Sequence, residues 1–440
     1  MNTYEPIIGL EIHVELKTKS GMFCGCPADH FGKPPNTGTC PVCLGYPGAL
    51  PTPNKKAVEW TIMLGLALGS TIAKESKFDR KHYFYPDLPK GYQISQYDQP
   101  LCRGGVIPTS FGDVRIHRVH LEEDTGKLQH AVVNGKKVTL VDFNRSGVPL
   151  VEIVTEADIR SSAQAKEFLK KLHQIVRYLG ISDADMEKGS MRLEPNISLR
   201  EVGETGLPPY KVEVKNINSF RFAAAAIEYE IKRHTAILDS GKLPVQETRG
   251  WDEAKNATVS QRSKEEAADY RYFPEPDIPP LRFTDEDIAK IRAAMPQLPD
   301  AYKKEVKETF GLNDTQASTL ADDFEKMALF AEVMHRSDIL DAKIPGTVAA
   351  NWIINKVADT AAVTGESVAR DIITSKQVHA IDDSVVLEAI DGVLAENPKA
   401  VADYKAGKEQ SKMFLYGMVL RKLAGKGDKQ KVMELLSSKL

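Results

Sequence analysis

The sequence lacks any long apolar run. Its most apolar stretch, residues 62–68, is short and interrupted by a glycine, whereas a membrane-spanning helix needs about 18 apolar residues in succession. This absence excludes a membrane span. The first residues also lack a basic region, an apolar core and an Arg- and Ser-rich transit segment before a strand-like pattern begins after Pro6. We therefore expect an intracellular, cytoplasmic protein.

Familiar catalytic motifs are absent as well. The sequence contains no G-x-x-x-x-G-K-[ST] loop, no G-x-G-x-x-G after a strand, no G-x-S-x-G elbow and no H-E-x-x-H. These absences exclude the common phosphate-binding loops and the common hydrolase nucleophiles. Any bound nucleotide must therefore be held by lysines and a metal ion on a sheet.

Neither sign of charge dominates, because 58 basic and 61 acidic residues leave a net charge of −3. This balance excludes a globally basic surface for nucleic acid. Residues 411–440 are a local exception, with seven Lys or Arg against two acidic residues, a surplus of +5. This tail fits a contact with a polyanion, and a solvated charged face is the alternative interpretation.

Cysteine is scarce, and its distribution is uneven. Four of the five cysteines fall within twenty residues, as Cys24-x-Cys26 and Cys40-x-x-Cys43. Such clustering favours a metal over disulfides in a reducing compartment, and paired cysteines are typical of closed, structural zinc sites. Four unliganded thiols in a compact loop are the alternative. Cys102 stands alone and is interpreted as inert packing.

The length of 440 residues predicts two to four folded units. Apolar and polar residues alternate over residues 8–16, 191–200 and 210–215, the pattern of an antiparallel sheet with one open face. Two helices are predicted, opening at Asn54 and at Ser161. After the prolines of residues 274–280 the periodicity becomes helical. The sequence therefore predicts an α+β protein with a boundary near residues 281–292.

Several acidic residues are candidates for a shared metal site. Glu11, His13 and Glu15 share the polar face of one strand, about 6.6 Å apart in steps of two residues. Acids at 122–124 end another strand, and Glu194 lies on the polar face of a third. The alternative is the ordinary charged, solvent-facing side of an antiparallel sheet.

Bases and aromatic residues interleave between residues 77 and 93. The stretch contains Lys77, Arg80, Lys81, His82, Tyr83, Tyr85, Lys90, Tyr92 and Gln93. Such a stretch suits neutralisation of phosphates together with stacking of bases. A solvated charged loop with its aromatic side chains turned inward is an equal alternative.

Five motifs give the chain a family resemblance: IGLEIHVEL at 8–16, ESKFDRKHYFYPD at 75–87, HLEEDTGK at 120–127, KNINSF at 215–220 and DYRYFPEPD at 269–277. They closely resemble the GatB family, the B subunits of GatCAB aspartyl/glutamyl-tRNA(Asn/Gln) amidotransferases. The resemblance covers nearly all of residues 4–281. It implies a mainly antiparallel β cradle at 1–292, with the zinc loop at 24–43. It also implies a helical domain at 293–380, shorter here than usual, and a basic YqeY-like tail at 381–440.

The resemblance also implies a reaction. ATP phosphorylates the side-chain carboxylate of Glu on tRNA(Gln) or Asp on tRNA(Asn), and ammonia then displaces phosphate to leave the amide. The implied partners are a glutaminase A subunit that supplies ammonia, a small C subunit, and the mischarged tRNA. A non-catalytic, zinc-stapled tRNA-binding scaffold is the alternative function.

Residue roles follow from the resemblance position by position. It implies a Mg²⁺ site, with Mn²⁺ as a substitute because imidazole suits softer metals, formed by Glu11, His13, Glu123 and Glu194. Lys81 joins Glu11, His13 and Glu123 as a catalytic candidate. Contacts to ATP or substrate are implied for Lys77, Arg80, Lys81, Tyr83, Tyr85, Lys90, Asn196, Lys215 and Asn218. Structural Zn²⁺ is implied at Cys24, Cys26, Cys40 and Cys43, and contact with the tRNA body at Lys422, Lys426, Lys429 and Lys431.

Overall fold

The computed structural model describes residues 3–263, 270–339, 343–377, 382–423 and 429–440. The chain divides into two units, Met1–Pro299 and Asp300–Leu440. The sequence places its first boundary a few residues earlier, at 292, and adds a second at 380. These finer boundaries stay predictions.

The first unit is built around β-strands. In chain order these are β1 (Tyr4–Glu15), β2 (Thr71–Ile72), β3 (Glu75–Ser76), β4 (Asp79–His82), β5 (Tyr92–Ser95), β6 (Cys102–Arg103), β7 (Val106–Thr109), β8 (Gly112–Glu123), β9 (Lys127–Val133), β10 (Lys136–Asp142), β11 (Pro149–Thr155), β12 (Met191–Glu201), β13 (Val212–Lys215), β14 (Glu247–Asp252), β15 (Ala257–Ser263), β16 (Phe273–Pro274) and β17 (Leu281–Arg282). Ten of them form one sheet in the order β15-β14-β13-β12-β1-β11-β8-β6-β2, with β7 paired to β8. The remaining strands form the smaller sheets β9-β10, β16-β4-β5 and β17-β3.

Helices cover the first unit and make up the second. The first unit contains α1 (Lys55–Ala67), α2 (Ser162–Tyr178), α3 (Phe220–Asp239) and α4 (Asp285–Ala293). At the boundary begins α5 (Pro299–Phe310), and the second unit continues with α6 (Asp314–Ala321), α7 (Phe324–Ile339), α8 (Gly346–Lys356), α9 (Gly365–Gln377), α10 (Asp383–Glu396), α11 (Pro398–Lys405), α12 (Glu409–Lys422) and α13 (Lys429–Lys439). None of the helices in the described residues is both long and apolar enough to cross a bilayer.

Both predicted helix starts are confirmed by their caps. The Asn54 side chain accepts hydrogen bonds from the first-turn amides of α1. The Ser161 side chain accepts from the Gln164 amide at the start of α2. The Gln164 side chain accepts in turn from the Arg160 amide, one residue further back than in a standard capping box.

The large sheet is antiparallel except at one pair. β13 and β14 run parallel, and a parallel connection needs a long crossover, which here contains α3. The predicted α+β class, with a mostly antiparallel sheet followed by a helical region, is confirmed.

The core lies between one face of the sheet and the helices α1, α2 and α3. Ile8, Leu10, Ile12 and Val14 of β1 are at most 1% exposed, and they share one hydrophobic cluster with residues of these helices. Because successive strand residues point to opposite faces, the alternate residues of β1 are presented on the other face. The alternation predicted from the sequence therefore separates the residues that enter the core from those on the polar face.

The second unit has an apolar core of its own near the C-terminus. α10, α12 and α13 contribute its buried residues, which are Val386, Ala389, Ile390, Val393, Leu415, Val419, Leu423, Val432 and Leu436. Leu415, Val419 and Leu423 recur every four residues along α12, so they form one buried stripe.

A buried ion network joins α3 to β14 and β15. Glu230 and His234 are fully buried. The Glu230 carboxylate accepts from Arg233 at 2.7 Å, lies 3.0 Å from His234 Nε2 and 3.2 Å from Arg249 Nε, and accepts from the Thr258 hydroxyl. Burial raises the pKa of Glu230, but the hydrogen bonds from His234 and Arg233 outweigh burial and lower it to about 2.

This network predicts a pH-dependent stability. Because the folded-state pKa of Glu230 lies below that of the unfolded chain, ionised Glu230 stabilises the fold above about pH 4.5, and the stabilisation is lost as pH falls toward 2. When the pH falls from 6 to 3, the unfolding free energy of E230Q should therefore decrease by about 2 kcal/mol less than that of the parent chain. Urea denaturation at both pH values measures this. The exposed Glu204 provides the control, since E204Q should keep the parental pH dependence.

Candidate active site

Three strands bring a histidine and two carboxylates together on the polar face. In the register, His13 of β1 faces Glu152 of β11, and Glu152 faces His120 of β8. His13 Nε2 lies 3.5 Å from Glu152 Oε2 and 3.7 Å from Glu122 Oε1. The ligand atoms of His13, Glu122 and Glu152 all lie within 4.8 Å of one another. These three residues are the histidine cluster.

The carboxylates of the histidine cluster are buried and ionised. Burial alone raises the pKa of Glu152, but the charge of His120 and hydrogen bonds with His120 and His13 outweigh burial and hold the pKa well below its usual range. Burial lowers the pKa of His13, yet its hydrogen bond with Glu152 raises the pKa to about 9. The Ser95 hydroxyl donates to Glu122 Oε2 at 2.9 Å and fixes that carboxylate.

Lys81 of β4 lies beside this cluster. Its ammonium is 5.0 Å from the ring centre of Tyr270 and 6.0 Å from that of Tyr83. Burial lowers the pKa of Lys81, but the negative charges of Glu122 and Glu152 outweigh burial and raise it. Lys81 is therefore a permanent positive charge at the edge of the acidic face.

A second acidic cluster adjoins the first on the same face. The ligand oxygens of Glu11, Glu194 and Glu213 lie within 4.8 Å of one another, and these residues are the glutamate cluster. Lys215 Nζ lies 3.0 Å from Glu194 Oε2 and 3.6 Å from Glu213 Oε1. Burial, followed by the charges of Glu152 and Glu213, raises the pKa of Glu11. Like charges held this close favour a cation.

Beside the glutamate cluster there is space and an unsatisfied acceptor. Asn196 Nδ2 donates to Glu11 Oε1 at 3.0 Å, while its buried Oδ1 has no hydrogen-bond partner within the described residues. A cavity of about 430 Å³ is lined by Glu11, Asn196 and Lys211, among others. The carboxylate oxygens fit a hard divalent ion. The unpaired Asn196 oxygen and the adjoining cavity fit a polar ligand beside that ion.

The four cysteines form a separate centre. The sulfur atoms of Cys24, Cys26, Cys40 and Cys43 lie within 4.8 Å of one another. Hydrogen bonding from the Cys24 thiol is the main cause that lowers the pKa of Cys43 to about 5, although burial opposes it. Four convergent sulfur ligands with a thiolate among them fit tetrahedral Zn²⁺. Cys102 is fully buried elsewhere and contacts the Thr61 carbonyl.

Two family models match most of the chain. Residues 6–289 match the model described as the GatB/GatE catalytic domain, and residues 339–440 match the GatB domain. The chain belongs to the GatB family. The resemblance predicted from the sequence motifs is thereby confirmed.

Curated relatives of the GatB family align with the chain from end to end. A protein of Thermomicrobium roseum is 45% identical over 99% of both chains, and one of Dehalococcoides mccartyi strain CBDB1 is 46% identical over 100% of this chain and 99% of its own. A protein of Thermotoga maritima is 43% identical over 97% and 96%. Each is named as the B subunit of an aspartyl/glutamyl-tRNA(Asn/Gln) amidotransferase.

The predicted Mg²⁺ ligands of this GatB family member do not assemble as one set. Glu11 and Glu194 meet in the glutamate cluster, and His13 lies in the histidine cluster. Glu123 joins neither cluster among the described residues. Neighbouring residues of a strand point to opposite faces, so Glu122 rather than Glu123 faces His13. Glu123 instead forms a buried ion pair with Lys90 and accepts from the Ile94 amide at 3.0 Å.

Sequence reasoning named Glu122 only as one of the acids at 122–124, and it missed Glu152, Glu213 and His120. The alternation along β8 could have identified Glu122, because His120 and Glu122 lie two residues apart on the same face of the strand. Glu152 is the lone charged residue of the apolar strand Pro149–Thr155, and an isolated charge in such a run is a second signal. Glu213 alternates with Val212 and Val214, which are both buried.

The predicted phosphate-binding residues fall into two classes. Lys77 is paired with Asp79 at 2.6 Å and Asp98 at 2.7 Å. Arg80 makes two hydrogen bonds to Glu275 and stacks on Tyr92 at 4.3 Å. Both cations are therefore engaged within the structure, as is Lys90.

The remaining candidates for binding ATP or substrate lie near the acidic face or are exposed to solvent. Tyr83 contacts Tyr270 edge-on beside Lys81, and burial raises its pKa. Tyr85 is 59% exposed, and Asn218 is exposed between β13 and α3. The binding roles of these residues stay predictions.

Three of the four tail lysines lie on helices of the second unit. Lys422 is 2.7 Å from Glu396, and Lys431 is 2.6 Å from Asp383. Lys429 is the first residue of α13, and Lys426 lies outside the described residues. Their contact with tRNA stays a prediction.

The Lys90–Glu123 pair predicts that replacement of the lysine destabilises the folded chain. Their side chains are 8% and 3% exposed. K90M leaves a buried carboxylate without its counter-charge, which costs about 3 kcal/mol or more. Urea denaturation at pH 7 measures the loss. The double variant K90M/E123Q should recover much of it because the orphaned charge is gone, and an unchanged unfolding free energy in K90M would contradict the pairing.

Proposed function

We propose that this chain is the ATP-using, tRNA-holding B subunit of an enzyme complex that amidates Glu-tRNA(Gln), Asp-tRNA(Asn) or both. The single observation that carries the proposal is the acidic face with Lys81 at its edge, in a chain about 45% identical to amidotransferase B subunits over its full length. The complex is a glutamine-dependent carbon–nitrogen ligase of protein biosynthesis.

The chemistry explains why such a face is needed. A carboxylate is a poor electrophile, so its oxygen must first be phosphorylated before ammonia can displace phosphate. The transfer is catalysed mainly by positioning and by stabilisation of phosphoryl charge. Lys81 supplies a fixed positive charge for that purpose. Lys215, beside the glutamate cluster, supplies a second positive charge.

Divalent ions fit the two clusters. The histidine cluster would hold one ion, Mg²⁺ or Mn²⁺, and the glutamate cluster offers a second place. A bound divalent ion supplies neutralisation of the phosphoryl oxygens. The chain's own residues orient the site: Ser95 holds Glu122, and Asn196 holds Glu11.

Other subunits are part of the proposal. The sequence lacks the Gly/Ser-rich segment of an amidase-type glutaminase, so ammonia must be supplied by a partner. The relatives are named as B subunits, which implies that further subunits exist. We assign these roles to a glutaminase A subunit and a small C subunit, in the cytoplasm.

The finer domain roles complete the proposal. Residues 1–292 form the cradle for ATP and the tRNA 3′ end, residues 293–380 a short helical domain, and residues 381–440 a YqeY-like tail that contacts the tRNA body. Lys422 and Lys431 already have acidic neighbours, so phosphate contact requires exchange of exposed ion pairs, which are worth less than about 1 kcal/mol each.

Replacement of one carboxylate of the histidine cluster tests the function. In the reconstituted complex, E152Q should lower kcat for ATP-dependent amidation of mischarged tRNA by about 100-fold, the typical effect of removing one preorganised electrostatic group. Phosphate release and amidated product are measured together.

The control for this experiment is E201Q, at an exposed position at the end of β12, which should keep parental rates. Full activity of E152Q would contradict the catalytic proposal. Phosphate release that does not depend on mischarged tRNA in the parent complex would favour the non-catalytic scaffold.

The cysteine centre makes a separate prediction. The full chain should contain one zinc ion, and C43S should lose it together with several kcal/mol of stability, because a closed zinc site contributes folding energy. Elemental analysis and thermal unfolding measure the two effects. C102S is the matched control and should retain zinc, whereas a zinc-free parent chain would refute the assignment.

A further inference from the structure

A chain of charged side chains connects the cysteine loop, residues 24–43, to the acidic face. His30, between the two cysteine pairs, lies with Nε2 2.9 Å from Glu15 Oε2. The other Glu15 oxygen accepts from Arg192 Nη2 at 2.8 Å. Arg192 also donates to both carboxylate oxygens of Asp124. These four residues are the His30–Asp124 chain.

The His30–Asp124 chain is too buried to be an incidental surface network. The side chains of Asp124, Glu15 and His30 are 2%, 9% and 14% exposed, and that of Arg192 is 30% exposed. Buried charges persist only when they are paired and hydrogen-bonded. Removal of one member therefore changes the geometry of the next.

Arg192 is the member that adjoins the candidate active site. In the register it lies directly opposite His13, and side chains at directly opposite positions are about 5 Å apart at Cβ. Its guanidinium can pair with any carboxylate of the same face. If it turned toward Glu122 or Glu152, it would occupy the oxygens that a divalent cation needs.

The His30–Asp124 chain holds the guanidinium away from those oxygens. Glu15 lies two residues beyond His13 on β1, and Asp124 follows the end of β8, so both draw Arg192 toward the cysteine loop. Arg192 also donates Nε–H to the Gly189 carbonyl at 3.1 Å. Glu15 is the contact that links this anchored guanidinium to the loop, because one of its oxygens bonds Arg192 and the other bonds His30. The cysteine loop therefore contributes a side chain to the geometry of the acidic face.

We infer that His30 is a positioning residue that keeps Arg192 off the histidine cluster, and that the cysteine loop thereby sets the affinity of this cluster for a divalent cation. The inference rests on the proposed function, because it takes the histidine cluster to be a cation site. The cysteine loop then affects the cation site in addition to holding its own residues together.

Titration of the full-length chain with Mn²⁺ tests the inference directly. Free Mn²⁺ is measured by electron paramagnetic resonance, and zinc is quantified in the same samples. H30A should bind Mn²⁺ about 10-fold more weakly than the parent, the usual size of an outer-shell effect on metal affinity. H30Q, which retains an N–H donor for Glu15, should restore most of the affinity. The exposed His130, whose ring bonds the Thr139 hydroxyl on the separate β9–β10 sheet, gives the control H130A, which should bind as the parent does.

A double-mutant comparison tests whether His30 acts through Arg192. In an R192Q background, H30A should cause no further change in Mn²⁺ affinity, because the side chain that it directs is absent. An additional 10-fold loss in that background would overturn the inference.

The remaining outcomes separate the inference from the proposed function. Equal Mn²⁺ affinity of the parent and H30A would overturn the inference and leave the cation site intact. Loss of zinc from H30A would also overturn it, because the effect would then come from collapse of the loop. Absence of Mn²⁺ binding in the parent would overturn both the inference and the cation site of the proposed function.

Discussion

The burial of one face of β1 against three helices is the constraint on which the rest of the first unit depends. Ile8, Leu10, Ile12 and Val14 are nearly fully buried, and a strand cannot bury them without presenting its alternate residues on the opposite face. A shift of one residue in register would drive Glu11 and His13 into the core. The core therefore fixes the position of the candidate active site.

The same constraint concentrates negative charge. Strands β1, β8, β11, β12 and β13 all present acids on one face, and like charges at this spacing repel one another. The structure offsets the repulsion with Lys81, Lys215 and Arg192 at the edges and with His13 and His120 inside. The ligand atoms of each cluster nevertheless stay within 4.8 Å of one another, an arrangement that suits a cation.

Local pattern predicted the sheet, its open face, both helix starts and the cysteine centre, because each depends on residues close together in the sequence. It did not predict the partners of Lys77 and Arg80. Asp98 and Glu275 lie 21 and 195 residues away in the chain, and no local pattern reveals that these cations are already engaged. Glu122 is different, since counting alternate positions from His120 places it on the same face of β8.

The acidic face has a cost that the fold alone does not recover. Asn196 Oδ1 is buried without a partner within the described residues, and an unsatisfied buried acceptor costs about 1–3 kcal/mol. The ionised form of the neighbouring Glu11 is also destabilised, because burial and adjacent carboxylates raise its pKa. Both residues border the same cavity. A ligand that brings a donor and a positive charge to this cavity would satisfy the Asn196 oxygen and neutralise the charge of Glu11, so both costs would be absent from the complex.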